Sequence, residues 1–285
     1  MEPNQRMLAV LCAVWIPIAS TAIEQRSFIE LLEHRVIEVK PVGLGGHSGE
    51  SLRVTVRNLS TGSVNTSIPV GWVFSSKVPE VQDLIVVREE VLALAGGASS
   101  SVTCRAFCCE ASGNGPEEGE VYRTGHPGSP KLMAVAQAIA RGAYPDEIVQ
   151  NAVWVLSDDN DIASMGAMDS TAQDTLRLAV SRLSGQPAPL YTMRYAEEEG
   201  RVCSQRPASI HRQLRYDTTV GTTVTVAVID RNGRVVRVLQ DHQVLEPGAH
   251  TLSFDLDVHD WPSGSYAIHA HSPDRAGVHR MPFTL

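Results

Sequence analysis

The side chains best suited to covalent chemistry in this chain are its cysteines, and three of them cluster. Cys104, Cys108 and Cys109 lie close together, Cys203 follows far downstream and Cys12 stands near the start. The spacing Cys104-x3-Cys108-Cys109 is not a zinc pattern, because neither a CxxC pair nor paired histidines follow at ligand distance. On a strand, Cys104 and Cys108 point to one face and Cys109 to the other. A thiol activated by a histidine would make a hydrolase nucleophile, and His126 is the histidine nearest Cys108 along the chain. The run Asp158-Asp159-Asn160-Asp161 offers oxygens to calcium but lacks the glycine and terminal glutamate of an EF-hand loop, so a solvated acidic turn is expected. His269 and His271 share one face of a strand without a third ligand in view. Gly43-Leu44-Gly45-Gly46 is followed by neither Lys-Ser/Thr nor a helix start, so it is no phosphate cradle. Gly-x-Ser-x-Gly does not occur, and no pair of carboxylates stands out as a glycosidase pair. The expectation is a protein with no catalytic residues, no metal and no cofactor.

The elements that must position these residues fall into two unlike halves. Residues 27–38 are apolar-periodic, a short helix or the start of the first strand. From Glu50 to Ala111 the pattern is β: Leu52, Val54 and Val56 alternate on one face. Further strands are expected over 66–74, 83–88, 90–95 and 100–109, with turn chemistry at 58–62 and at Gly96-Gly97. Short strands at this spacing predict a β-sandwich or barrel. The period then switches to helical at 130–141, at a second helix opened by Pro145-Asp146-Glu147, and at 170–184, ended by Gly185. Strands followed by a helical block predict an α+β domain over residues 23–185. Residues 186–208 contain prolines and the run Glu197-Glu198-Glu199 and read as a linker, with room for a strand near 191–194. Over 209–285, strands at 222–229, 234–239, 251–256 and 266–271 alternate with the turns Asp230-Arg231-Asn232-Gly233, Pro247-Gly248 and Pro262-Ser263-Gly264, which makes an all-β module.

The 285 residues suit two domains at roughly 150 each. With 43% hydrophobic residues and 20% charged, the chain can build a core, which excludes disordered and collagen-like classes. Twenty-four Lys and Arg against 32 Asp and Glu give a net charge of -8, so phosphate backbones would be repelled and no nucleic-acid partner is expected. Residues 1–22 read as a signal peptide: Arg6, an apolar run from Met7 to Ile18, and the small residues Ala19-Ser20-Thr21-Ala22. The apolar run is too short for a comfortable membrane span, so none is expected in the mature chain. Removing it deletes Glu2 and Arg6 and leaves the charge at (24 − 1) − (32 − 1) = -8. In an oxidising compartment the remaining Cys104, Cys108, Cys109 and Cys203 suggest disulfides, two bridges or one bridge with two buried thiols.

Two resemblances add to this reading. Val226-Ala-Val-Ile-Asp-Arg-Asn-Gly-Arg-Val-Val236, Pro247-Gly-Ala-His-Thr-Leu-Ser-Phe-Asp255 and Pro262-Ser-Gly-Ser-Tyr266 together resemble the Ig-like sorting domains of type IX secretion and the related hook-capping domains. That resemblance implies an Ig-like sandwich over 209–285, serving export or attachment. Phe107-Cys108-Cys109, followed by Val149-Gln150-Asn-Ala-Val153-Trp154, resembles the thioester (TQXA-type) domains of Gram-positive surface adhesins.

In the adhesin family a Cys thiol and a Gln side chain condense with loss of ammonia. The resemblance therefore implies Cys108 as the thiol, Gln150 as the acyl donor, and Trp154 with Phe107 as shields. Trp154 lies one helical turn beyond Gln150 and covers the same patch. Glutamine is a poor acyl donor in water, so the pair must be pre-positioned and shielded. The resulting expectation is a secreted surface adhesion protein that captures a surface protein or glycan bearing an amine or hydroxyl. Cys104, Cys109 and Cys203 remain as candidate disulfide partners. The alternative is a non-covalent, disulfide-stapled binding module without a thioester.

Overall fold

The computed structural model describes residues 25–166, 171–196, 204, 206–272 and 275–285. The expected signal peptide, Cys203, Ser170 and the triple-glutamate run lie outside the described residues. The fold is mostly β, arranged as several antiparallel sheets. No helix among the described residues is long and apolar enough to cross a membrane.

The chain enters through α1 (Phe28–Glu33), whose N-terminal turn is capped by the Ser27 hydroxyl. The strands β1 (Ile37–Leu44), β2 (Leu52–Asn58), β7 (Ser99–Cys104) and β9 (Glu118–Val121) form one sheet in the order β7-β2-β1-β9. The strands β4 (Trp72–Phe74), β5 (Leu84–Val86), β8 (Ala106–Cys108) and β10 (His126–Pro127) form a second, in the order β10-β4-β5-β8. A separate ribbon pairs β3 (Val64–Ile68) with β6 (Glu90–Leu94).

The second sheet is the middle layer. Trp72, Phe74, Leu84, Val86, Ala106 and Cys108 join a core shared with Val39, Val54 and Val56 of the first sheet. The intervening Val73, Ile85 and Phe107 join a second core with the helices. Successive side chains on a strand point to opposite faces, so a strand covered on both faces needs an unbroken apolar run, and these three strands have one.

The helical layer comprises α2 (Pro130–Ala140), α3 (Asp146–Ser157) and α4 (Thr171–Ser184), followed by Gly185 at φ +79°. Pro145 proves to be the N-cap position of α3, and Asp146 and Glu147 occupy the first turn, where carboxylates suit the positive helix end. Two single strands expected from the sequence are each broken in two. Residues 66–74 divide between β3 and β4, and 100–109 divide at Arg105 between β7 and β8, which belong to different sheets. Alternation continues across Arg105, so sequence pattern does not register the change of sheet.

The C-terminal strands form two further antiparallel sheets around a third core. One is β11 (Thr192–Tyr195), β12 (Pro207–Thr218) and β15 (Gly248–Asp257), in the order β11-β12-β15. The other is β13 (Thr222–Asp230), β14 (Val235–Leu245), β16 (Ser265–Ser272) and β17 (Arg275–Thr284), in the order β14-β13-β16-β17. Ile210, Phe254 and Leu256 share this core with Val226, Ile268 and Phe283. β11 thus extends the C-terminal sheet into the segment read as a linker. The expected turn at 230–233 is held by Asp230, whose carboxylate accepts from the Asn232 and Arg234 N–H groups at 2.8 and 2.9 Å.

Candidate functional site

β8 is the edge strand of the middle sheet, and edge strands carry a row of main-chain groups that need partners. Arg105 and Cys109 turn their main-chain groups inward to β5: Val87 N–H donates to Arg105 O, and Cys109 N–H to Asp83 O. Ala106 and Cys108 therefore present theirs outward. The loop after β1 supplies most of the partners. Ala106 N–H donates to Gly49 O at 2.8 Å, the Ser51 hydroxyl donates to Ala106 O at 2.8 Å, and Cys108 N–H donates to His47 O at 3.1 Å. The backbone of Gly49 is left-handed at φ +81°, and a Cβ there would stand 2.6 Å from an Asp146 carboxylate oxygen. Only glycine lets this loop pass so close to the start of α3.

Gln150 supplies the rest. Its Nε2 donates to Cys108 O at 2.8 Å, and its Oε1 accepts from Cys108 N–H at 3.1 Å. The carboxamide is almost fully buried, 2% exposed. The structure thus brings Cys108 and Gln150, 42 positions apart, into direct contact. Arg105 pins the same region from outside, with its guanidinium 2.6 Å from the Asp146 carboxylate and 2.8 Å from Tyr144 O.

Trp154 stands one turn beyond Gln150 and shares the inter-sheet core with Cys108. The His47 ring lies over it, stacked at 6.2 Å. The indole N–H is buried without an acceptor among the described residues. Phe107, also expected to shield, does not: it faces the helical core, on the opposite side of β8 from Cys108. Successive side chains on a strand point to opposite faces, and here the two faces belong to different cores.

The thiols are quiet. Cys104, Cys108 and Cys109 are all buried and free, and Cys104 and Cys109 lie in different cores, so no bridge joins them. Burial pushes the Cys104 thiol up to about 12, assisted by the Glu90 charge. Burial, then the charge of Glu110, raises the Cys108 thiol far above its ordinary value, and Cys109 follows for the same reasons. A neutral buried thiol is no ready hydrolase nucleophile. His126 cannot activate it either. It sits on β10, the opposite edge of the sheet from β8, about 14 Å away at the usual strand spacing. It is exposed, with Nδ1 on Pro127 O and Nε2 near the Ser75 hydroxyl.

Glu110 was not among the expected site residues. Its carboxylate accepts from Asp83 N–H at 2.8 Å. Burial raises its pKa to about 7, with the charges of Asp83 and Asp158 adding to the shift and the Asp83 hydrogen bond opposing it. Because the folded pKa exceeds the unfolded one, its contribution is favourable below the unfolded pKa and is lost as pH rises through about 7. Glu110→Gln, which keeps the acceptor, is expected to stabilise the protein at pH 8 by roughly 1–2 kcal/mol after allowance for partial exposure. It should change little at pH 4.5. Urea unfolding at the two pH values checks this, and equal effects at both would refute the assignment.

His47 and Gly49 were also missed. Their signal was the glycine-rich run before them, weighed only as a phosphate cradle. Its use here is close backbone approach to an edge strand. Asp161 caps the 3-10 turn Ile162–Ser164 through Ala163 N–H at 2.8 Å. His269 and His271 stand side by side on β16, rings 6.4 Å apart. Among the described residues, no group of three or more His, Cys, Asp or Glu is placed to hold a metal ion. Comparison with known protein families and with curated proteins finds no match to this chain.

Proposed function

We propose that this protein is a secreted surface adhesion protein whose Cys108 and Gln150 condense to an internal thioester, and whose C-terminal sheets are an Ig-like module for export or attachment. The observation that carries the reading is the buried Gln150 carboxamide, hydrogen-bonded in both directions to the main chain of Cys108. In the condensation the Cys108 sulfur bonds to the Gln150 amide carbon, the carbon–nitrogen bond breaks, and the thiol proton leaves with the nitrogen as ammonia. An amine or hydroxyl of a partner surface protein or glycan then attacks the carbonyl, and the sulfur departs as the thiol. Two features favour survival of such a bond. The surroundings that raise the thiol pKa exclude water, and Trp154 with His47 stacked on it covers this part of the core. Secretion rests on the signal-like residues 1–22, and the Ig-like assignment on two sheets around one core together with the sequence resemblance.

A second reading has an observation of its own. The Gln150 amide supplies what the outward groups of an edge strand need, so a non-covalent clamp would explain the same geometry. Intact mass of the unreduced, folded mature protein separates the two. A deficit of one ammonia, absent in Cys108→Ala and in Gln150→Ala and converted by methylamine to a gain of one amine adduct minus ammonia, is the expected result. A mass matching the free thiol and amide would leave the clamp.

A further inference from the structure

The strands of the C-terminal sheets and the segment preceding them enclose a cleft of about 660 Å³. Phe254, Ile268 and Ala270, from β15 and β16, give it an apolar floor, beside Met281 and Pro282 of β17. Residues 186–191 form its outer wall. Arg177 of α4 fixes that wall by donating to Pro189 O at 2.9 Å and to Tyr191 O at 3.1 Å. A concave, mostly apolar space with a few polar groups is the usual form of a small-molecule site.

The polar groups have a polarity. Arg212 of β12 and Arg280 of β17 come from the strands, and Asp159 and Asp161 from the loop after α3. Asp161 is already engaged by Ala163 N–H. Arg212 is poorly served. Its Nη1 donates to the Met281 sulfur, a weak acceptor, and its Nε is buried with no acceptor among the described residues. Burial pulls its pKa down, and no carboxylate among the described residues offsets the loss. A half-buried guanidinium without a counter-ion is costly to keep, and a carboxylate is the partner its planar fork fits best.

We propose that this cleft binds a small amphiphilic carboxylate, its apolar body against Phe254 and Ile268 and its head group on Arg212, with Arg280 as the second cation. The site is independent of the Cys108–Gln150 pair. Asp159 and Asp161 repel an anion, so the anionic end must lie on the arginines rather than at the loop after α3.

Titration calorimetry on the full mature chain with decanoate, decanol and decyltrimethylammonium tests this. Decanoate is expected to bind, and at least about tenfold more tightly than either other probe. Arg212→Gln should weaken decanoate by about tenfold or more and leave decanol unchanged. Leu190→Glu, at an exposed position on the outer wall, adds a negative charge at the cleft without touching a core. It should weaken decanoate alone, and so guards against a folding defect in the arginine variant. No binding of decanoate, equal binding of decanol, tighter binding of the cation, or decanoate binding unchanged in both variants would each overturn the proposal.

Discussion

Trp154→Ala is expected to lower stability by about 3–5 kcal/mol, the usual cost of emptying a large aromatic site in a core. Trp154 is 4% exposed and joins α3 to the core between the two N-terminal sheets, while most of that helix faces the other core. Its removal also takes away the surface on which His47 stacks, and so loosens the loop that covers β8. Cys108, whose burial should keep it unreactive in the parent protein, is expected to react in this variant with a chromogenic disulfide reagent at neutral pH. Trp154→Phe should cost far less, because it keeps an aromatic ring in the site and discards an indole N–H that has no acceptor among the described residues. Urea unfolding and thiol titration read both effects. A loss below about 1 kcal/mol in the alanine variant would show that the surroundings collapse into the space, and Trp154 could not then be the shield.

The second large effect concerns Gln150. Gln150→Leu removes the donor to Cys108 O and leaves that carbonyl buried and unpaired, while Cys108 N–H keeps His47 O. The expected loss is about 2–3 kcal/mol, dominated by the orphaned carbonyl. A double-mutant cycle with Cys108→Ala then distinguishes clamp from thioester. In the clamp, both hydrogen bonds go to the main chain of residue 108, so the leucine variant costs the same with alanine there and the two changes add. If a covalent bond joins the side chains, each single variant removes the same bond and the two are strongly non-additive. Gln150→Glu adds a pH test. A buried carboxylate cannot donate to Cys108 O, so its folded pKa should rise above the unfolded value. The variant should be near the parent at pH 4 and progressively weaker as pH rises through the folded pKa.

Much of this architecture was legible in the amino-acid order. Leu52, Val54 and Val56 alternate because β2 has one covered face, and the run Leu84 to Val87 is unbroken because β5 has two. Pro145, the acids after it and Gly185 bracket helices through local backbone chemistry. The Asp230 turn is likewise local. Cys108, Gln150 and Trp154 could be named together, and helical spacing already set Trp154 beside Gln150.

What sequence alone could not decide depends on contacts between residues far apart in the chain. Arg105 sends the chain from one sheet to another without disturbing the alternation, so a single strand was expected where there are two. Phe107 lies next to Cys108 in sequence yet on the far side of a sheet layer, and His126 lies on the opposite edge, so nearness along the chain misplaced both. His47 and Gly49 reach Cys108 and Ala106 only because β8 is an edge whose outward groups need partners. The cleft around Arg212 exists only where the loop wall meets two sheets. Periodicity and turn chemistry are properties of neighbouring residues and can be read in order. Strand edges, the second face of a layer and the space between sheets come into being only when the layers pack.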